Sequence, residues 1–144
     1  MVLKIYFAGS IRGGRGDKKL YLQIIELLRE YGEILTEHVG DQNLSSAGEE
    51  NEENTVICKR DLDWLDEADV VVAEVSTPSN GVGFEVGRIY REKPVLCLYR
   101  TGSEFRLSPM IGGNTHINIT NRTYSKIQDL HQIFKDFFSA KGKS

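Results

Sequence analysis

Cysteine is scarce in this chain of 144 residues: Cys58 and Cys97 stand alone, with no C-x-x-C spacing and no histidine pair beside either. That excludes a disulfide framework and leaves both as small buried hydrophobes in a reducing compartment. No His, Cys and Asp residues show metal-ligand spacing, so no metal or other cofactor is expected. An excess of positive charge is also missing. A net charge of −3 gives no general basic field, which makes a nucleic-acid polymer a poor partner and means that any anion must be caught locally. Long apolar runs are absent too. No stretch approaches a membrane span, and the N-terminal MVLKIYFAGS turns polar too quickly for a signal peptide. These absences predict a soluble protein without membrane contact, cytoplasmic and, in a eukaryotic cell, also nuclear.

What is present suits a single domain over residues 1–138, followed by a disordered Lys/Ser tail at 139–144, and 40% apolar residues suffice for one core. Strand patterns at 2–8, 34–36, 70–75, 95–99 and around Ile117 and Ile119 alternate with helical ones. The helices are expected at 17–31, from somewhere in 49–55 to Glu67, from about Val82 to Lys93, and along the set Ile127, Leu130, Ile133, Phe134, Phe137 and Phe138. Strands alternating with helices imply a parallel sheet with right-handed crossovers. The fold expected is a flavodoxin-like, Rossmann-like α/β domain, a five-stranded parallel sheet in the order 2-1-3-4-5 with helices on both faces.

In that order the first and third strands are neighbours, and their loops face each other across the switch-point crevice where open α/β sheets bind ligands. The loop after the first strand reads GSIRGGRG, residues 9–16. Four glycines, a serine and two arginines let backbone N–H groups and guanidinium forks converge on an anion. It matches neither G-x-G-x-x-G nor a P-loop, and the same composition also suits a flexible surface turn. After the third strand comes EVSTPSNGVGFEVG, residues 74–87, which places Glu85 in the first turn of the following helix. There a carboxylate is ordinarily explained by the helix dipole. Asp61, one helical face with Ile57, Trp64 and Ala68, would point toward the sheet, although an acidic helix also carries solvated aspartates. His38, on a loop, reads as a hydrogen-bonded structural group. Paired acids beside an anion pocket suit cleavage at an anomeric carbon, the anion being the sugar's phosphate.

The runs YFAGSIRGG, LTEHV, DLDWLDEADVVVAEVSTPSNGVGFEVGR, KPVLCLYR and LSPMI together resemble the 2'-deoxynucleoside 5'-phosphate N-hydrolases of the nucleoside 2-deoxyribosyltransferase superfamily, in register from about Ile5 to Ile111. The likeness thins in the acidic loop and after Gly112. It implies that Glu85, the glutamate of GVGxE, is the nucleophile and that Asp61 assists the leaving base and positions the sugar. Tyr6 would lie against the deoxyribose. Phosphate and sugar contacts would fall to Gly9, Ser10, Ile11, Arg12 and Gly13, to Ser79 and Gly81, and to Ser108 and Met110. Because the family uses the serine of LSxMI from a neighbouring subunit, the resemblance also implies a homodimer with Ser108 contributed across the interface.

Asp63 and Phe84 depart from residues frequent in relatives, Asn and Tyr, with the flanking motif kept. The expected reaction is hydrolysis of a 2'-deoxynucleoside 5'-monophosphate to free base and 2-deoxyribose 5-phosphate through a glycosyl-Glu85 ester. The rivals are a nucleoside 2-deoxyribosyltransferase, a ribonucleotide N-hydrolase, and a nucleotide-binding sensor without chemistry.

Overall fold

The structure, a computed structural model, describes residues 2–10, 17–36 and 53–141. The elements in order are β1 (Lys4–Ala8), α1 (Lys18–Leu28), β2 (Glu33–Ile34), α2 (Asn54–Glu67), β3 (Val70–Glu74), α3 (Asn80–Ile89), β4 (Val95–Arg100), α4 (Pro109–Gly112), β5 (Ile119–Tyr124) and α5 (Asp129–Lys141). The strands form one sheet in the order β2-β1-β3-β4-β5, and each neighbouring pair is parallel. This is the expected topology. Its switch point lies between β1 and β3, whose register pairs Tyr6 with Val71 and Ala8 with Ala73.

Strand alternation divides the core into two layers. Ile5 and Phe7 of β1, Val70 and Val72 of β3, and Leu96 and Leu98 of β4 pack with Tyr21, Ile24, Ile25 and Leu28 of α1 and with Leu130, Ile133, Phe134, Phe137 and Phe138 of α5. The intervening Tyr6, Ala8, Val71, Ala73, Val95 and Cys97 pack on the other face with Leu65 of α2 and Val82, Val86 and Ile89 of α3. The apolar run of β3 reads as continuous because it is covered on both faces.

Several boundaries differ from the sequence reading. Val2, expected in the first strand, precedes β1 and is 66% exposed. β2 is shorter than 34–36, but the buried Thr36 extends the pairing with its side chain, its hydroxyl accepting from the N–H of Phe7 at 2.9 Å. α1 stops at Leu28 rather than Tyr31, closing with a tight turn from the Tyr31 N–H to the Leu28 carbonyl at 2.9 Å. Ile117 lies outside β5 and is 87% exposed; β5 starts at Ile119, opposite Val95, and continues to Tyr124. α5 runs to Lys141, so Ser139–Lys141, expected in a disordered tail, are helical. Cys97 is buried and its thiol is pushed up to about 12 by desolvation. Cys58, expected buried, is exposed: Leu65, not Cys58, is the buried residue of α2.

Candidate functional site

The carboxyl ends of β1 and β3 carry the two loops singled out by the sequence. Gly9 and Ser10 leave β1 directly, and Ser10 is fully buried with its N–H donated to the Tyr21 hydroxyl at 3.1 Å. Ile11, Arg12 and Gly13, with the rest of the turn to Gly16, lie outside the described residues, as do His38 and the acidic loop through 52.

On the other side Ser79, in extended backbone, caps α3: its hydroxyl accepts from the Val82 N–H at 3.2 Å. The helix therefore begins at Asn80, two residues before the expected Val82, and Glu85 is its sixth residue. At 3.6 residues per turn Glu85 belongs to the second turn, not the first. The dipole explanation for this carboxylate weakens accordingly, because that interaction falls off within the first turn.

Glu85 is instead aimed at the sheet. The phenol of Tyr6, in the middle of β1 and only 3% exposed, donates a hydrogen bond to its Oε2. Desolvation pushes the Glu85 carboxyl up to about 7, against the Tyr6 hydrogen bond, which lowers it, while Asp61 adds a further raising contribution. Tyr6 is raised as well, first by burial and then by the charge of Glu85, so the phenol stays a donor. Asp61 arrives from α2, one-quarter exposed, with Oδ1 held by Arg60 Nη2 at 3.1 Å and Nε at 3.2 Å. Arg60 in turn lies over the Trp64 ring, 5.1 Å from its centroid. Asp61 thus faces inward closely enough to act on both Tyr6 and Glu85 electrostatically. Two carboxylates and a phenol, drawn from three elements, thus act on one another over β1. Such a group can supply a nucleophile, hold it with a hydrogen bond, and leave a second carboxylate for the departing group.

The remaining expected residues divide. Ser79 and Gly81 stand at the α3 N-terminus, where the Ser79 hydroxyl proton is still available to an anion while its oxygen caps the helix. Ser108 and Met110 share a surface with Ser79 but not with Tyr6, Asp61 or Glu85. They line a pocket of about 480 Å³ together with Ser79, Val86, Tyr90 and Arg106, from which Tyr6, Asp61 and Glu85 are absent. Ser108 caps the short α4, accepting from the Met110 N–H at 3.2 Å, and Met110 is 82% exposed. Among the described residues no group of three or more His, Cys, Asp or Glu is arranged to hold a metal ion.

One feature of this rim escaped the sequence reading, in which Glu74 merely opened the stretch 74–87. Glu74 is fully buried at the end of β3, with Tyr124 of β5 and Ser76 donating to it. A glutamate closing a strand that is otherwise buried on both faces was the available signal, since such a charge requires partners.

The sequence pattern of the nucleoside 2-deoxyribosyltransferase family matches residues 5–131. A protein of Tetraodon nigroviridis named 5-hydroxymethyl-dUMP N-hydrolase is 46% identical over 140 residues, covering 95% of this chain and 98% of that one. A protein of the same name from Danio rerio is 41% identical over 143 residues, covering 99% and 100% respectively. Among solved structures, a CMP N-glycosidase of Clostridium botulinum superposes with a TM-score of 0.63 over 93% of this chain and 98% of its own, at 17% identity, a likeness of fold.

Proposed function

The chain belongs to the nucleoside 2-deoxyribosyltransferase family, and we propose that within it this protein hydrolyses the N-glycosidic bond of 2'-deoxynucleoside 5'-monophosphates. The observation that carries the reading is the Tyr6 to Glu85 hydrogen bond, with Asp61 beside it, at the switch point that also holds Ser10. The near full-length relatives named as 5-hydroxymethyl-dUMP N-hydrolases support the reaction class.

In the proposed reaction a Glu85 carboxylate oxygen attacks C1' as the bond to the base breaks. The bond electrons leave with the base nitrogen, which takes up a proton, and Asp61 assists that departure. Water then adds at C1', giving up a proton and releasing Glu85, so that 2-deoxyribose 5-phosphate leaves with retained configuration. Tyr6 holds Glu85 in place and, lying against C2', leaves little room for a ribose hydroxyl. Binding of the phosphate by the turn after β1 and by Ser79 supplies energy for orientation at C1'.

We place Ser108 at the site of a second subunit in a homodimer. Within its own chain it lies on the pocket from which Glu85 is absent, and Met110 on the same pocket, 82% exposed, presents apolar surface. Mixing inactive Glu85→Gln subunits with impaired Ser108→Ala subunits should restore activity if the sites are shared; no recovery in verified mixed dimers removes Ser108 from the partner's site.

The deciding measurement is base release from a panel of deoxy- and ribonucleoside monophosphates, 5-hydroxymethyl-dUMP included. Release from the deoxy series, lost in Glu85→Ala while nucleotide still binds, is the expected result. No release from any member after long incubation overturns hydrolysis. The family match favours one second reading, transfer of the deoxyribosyl group to another base. An exchanged nucleotide in the presence of a second free base, in place of sugar phosphate, would establish it.

A further inference from the structure

Asp61 and Glu85 come from different helices, so the bonds that hold α2 against α3 decide how the two carboxylates meet. The rim network does not reach α2 among the described residues. Glu74 accepts from Ser76 and Tyr124, the Ser76 hydroxyl accepts from the Arg100 N–H at 2.7 Å, and Arg100 pairs with the Asp17 carboxylate at 3.1 Å, which joins the ends of β3, β4 and β5 to the start of α1. The link between α2 and α3 lies one turn below the carboxylates. Residues four apart share a helix face, so Leu65 stands one turn after Asp61 on α2 and Ile89 one turn after Glu85 on α3. Both are buried in the same layer of the core.

Lys93 bridges these two positions. Its N–H donates to the Ile89 carbonyl at 3.1 Å, continuing the turn beyond α3, and its Nζ donates to the Leu65 carbonyl at 2.9 Å and to the Asp66 carbonyl. These carbonyls belong to the last turn of α2, where helical partners run out and where the helix has no basic residue of its own. A cation placed there also meets the negative end of the helix dipole. Burial lowers the Lys93 ammonium from its ordinary value, so the cation gives up hydration to hold them. A second rung is Arg88, whose Nη2 donates to the two carboxylate oxygens of Asp66 at 3.2 and 3.4 Å. That pair is 41% and 53% exposed and contributes little by itself.

We propose that Lys93 is a positioning residue for the reaction: by clamping the end of α2 to the turn that closes α3, it sets the separation of Asp61 from Glu85. This rests on the nucleotide hydrolase reading above. Glu85 is faced by Tyr6 from β1 and by Asp61 from α2, and Arg60 opposes Asp61 at Tyr6. Tyr6 is fixed by the sheet, so of the two neighbours only Asp61, with its partner Arg60, moves with α2. Charge–charge energy falls with distance. A loosened α2 therefore weakens the effect of Asp61 on Glu85 and misplaces the group assigned to the departing base. Loss of the Lys93 charge by itself acts the other way, since removing a cation favours a neutral acid. The two explanations differ in sign.

The test compares Lys93→Met, Lys93→Arg, Asp61→Asn and the Lys93→Met/Asp61→Asn double variant with the wild type. Glu85 is followed directly, by NMR titration of its side-chain carboxyl, and through kcat for a deoxynucleoside monophosphate. Lys93→Met should move the Glu85 midpoint down by on the order of half a pH unit and lower kcat by about 10-fold. Lys93→Arg, which keeps donors for both carbonyls, should hold the wild-type midpoint. In the double variant the midpoint should fall no further than in Asp61→Asn alone. A midpoint that stays in place or rises in Lys93→Met, even with a lowered Tm, makes Lys93 merely structural and overturns the proposal. So does a fall that persists undiminished once the Asp61 charge is gone. Should Lys93→Met fail to fold, Arg88→Gln loosens the same helix pair at its exposed rung and should show a smaller fall; an unmoved midpoint there overturns the proposal. A wild type that releases no base defeats the hydrolase reading and leaves the titration decisive for the placement of Asp61.

Discussion

The hydroxyl of Tyr6 donates to the carboxylate of Glu85, two residues 79 positions apart in sequence that meet because β1 and α3 flank the switch point of the sheet. A charged acceptor makes such a bond worth about 1.5–3 kcal/mol. Tyr6→Phe removes it and keeps the ring's place in the core. We expect kcat/KM for a deoxynucleoside monophosphate to fall by about 10- to 100-fold, with discrimination against the ribonucleotide reduced. Activity within twofold of wild type would show that the phenol does not serve Glu85.

The pH profile should report Glu85. A nucleophilic carboxylate must be ionised, so kcat/KM should rise with pH through about 7, where desolvation has pushed this group. The two neighbours act on it with opposite sign. Asp61→Asn removes a charge that raises Glu85, so the acidic limb should move down, whatever happens to the plateau; Tyr6→Phe removes a donor that lowers it, so the limb should move up. Shifts in the same direction would contradict this arrangement.

Stability should carry the same signature. Glu85 has a higher folded than unfolded value, so its contribution to stability is fully present below about 4.5 and is lost as pH rises through about 7. Glu85→Gln removes that loss. Thermal melts should find the variant alike near pH 4 and more stable than wild type at pH 8, by about 1–3 kcal/mol once partial solvent access is allowed for. Glu74 is raised by burial in both proteins and cancels in the comparison. A variant no more stable at pH 8 would mean that the Glu85 charge is well solvated.

The sheet order was legible because the apolar runs at Val70–Ala73 and Val95–Leu98 could only be doubly covered strands, and α/β alternation leaves few ways to arrange them. Tyr6, Asp61 and Glu85 were singled out by motif; the structure joins Tyr6 to Glu85 by a hydrogen bond, with the charge of Asp61 acting on both. The placement of Glu85 in its helix was misread by two residues, enough to move it from the first turn to the second. Ser79 caps earlier than the Gly81–Gly83 punctuation suggested, because one serine hydroxyl on the Val82 N–H outweighs the low helix propensity of the glycines. Of the rim network only Glu74 carried a signal, a charge closing a doubly covered strand, and its partners were not legible. Glu74 and Tyr124 are 50 residues apart, and Asp17 and Arg100 are 83 apart. Asp17, Arg100 and Tyr124 alone read as surface charges and a strand aromatic, and only the closed sheet shows them as partners.

Two glycines allow the hold on the fold and the proposed hold on the substrate to be tested apart. A Cβ on Gly32 would meet the Leu3 carbonyl oxygen at 2.2 Å, and that backbone cannot yield because the same carbonyl accepts from the Glu33 N–H that pairs β2 with β1. Gly32→Ala should therefore destabilise by about 2 kcal/mol or more and leave the KM of the folded fraction unchanged. A Cβ on Gly9 would lie 3.0 Å from two atoms of the Tyr21 ring and 3.3 Å from Phe7. Both rings are buried, so Tyr21 must shift by a few tenths of an ångström, and its hydroxyl takes the Ser10 N–H with it. Gly9→Ala should thus cost less stability, about 1–2 kcal/mol, but raise KM for the monophosphate several-fold. Melting curves and steady-state kinetics on both variants check the contrast: a Gly9→Ala protein that melts lower with an unchanged KM would show that the Gly9–Ser10 backbone does not take part in binding the monophosphate.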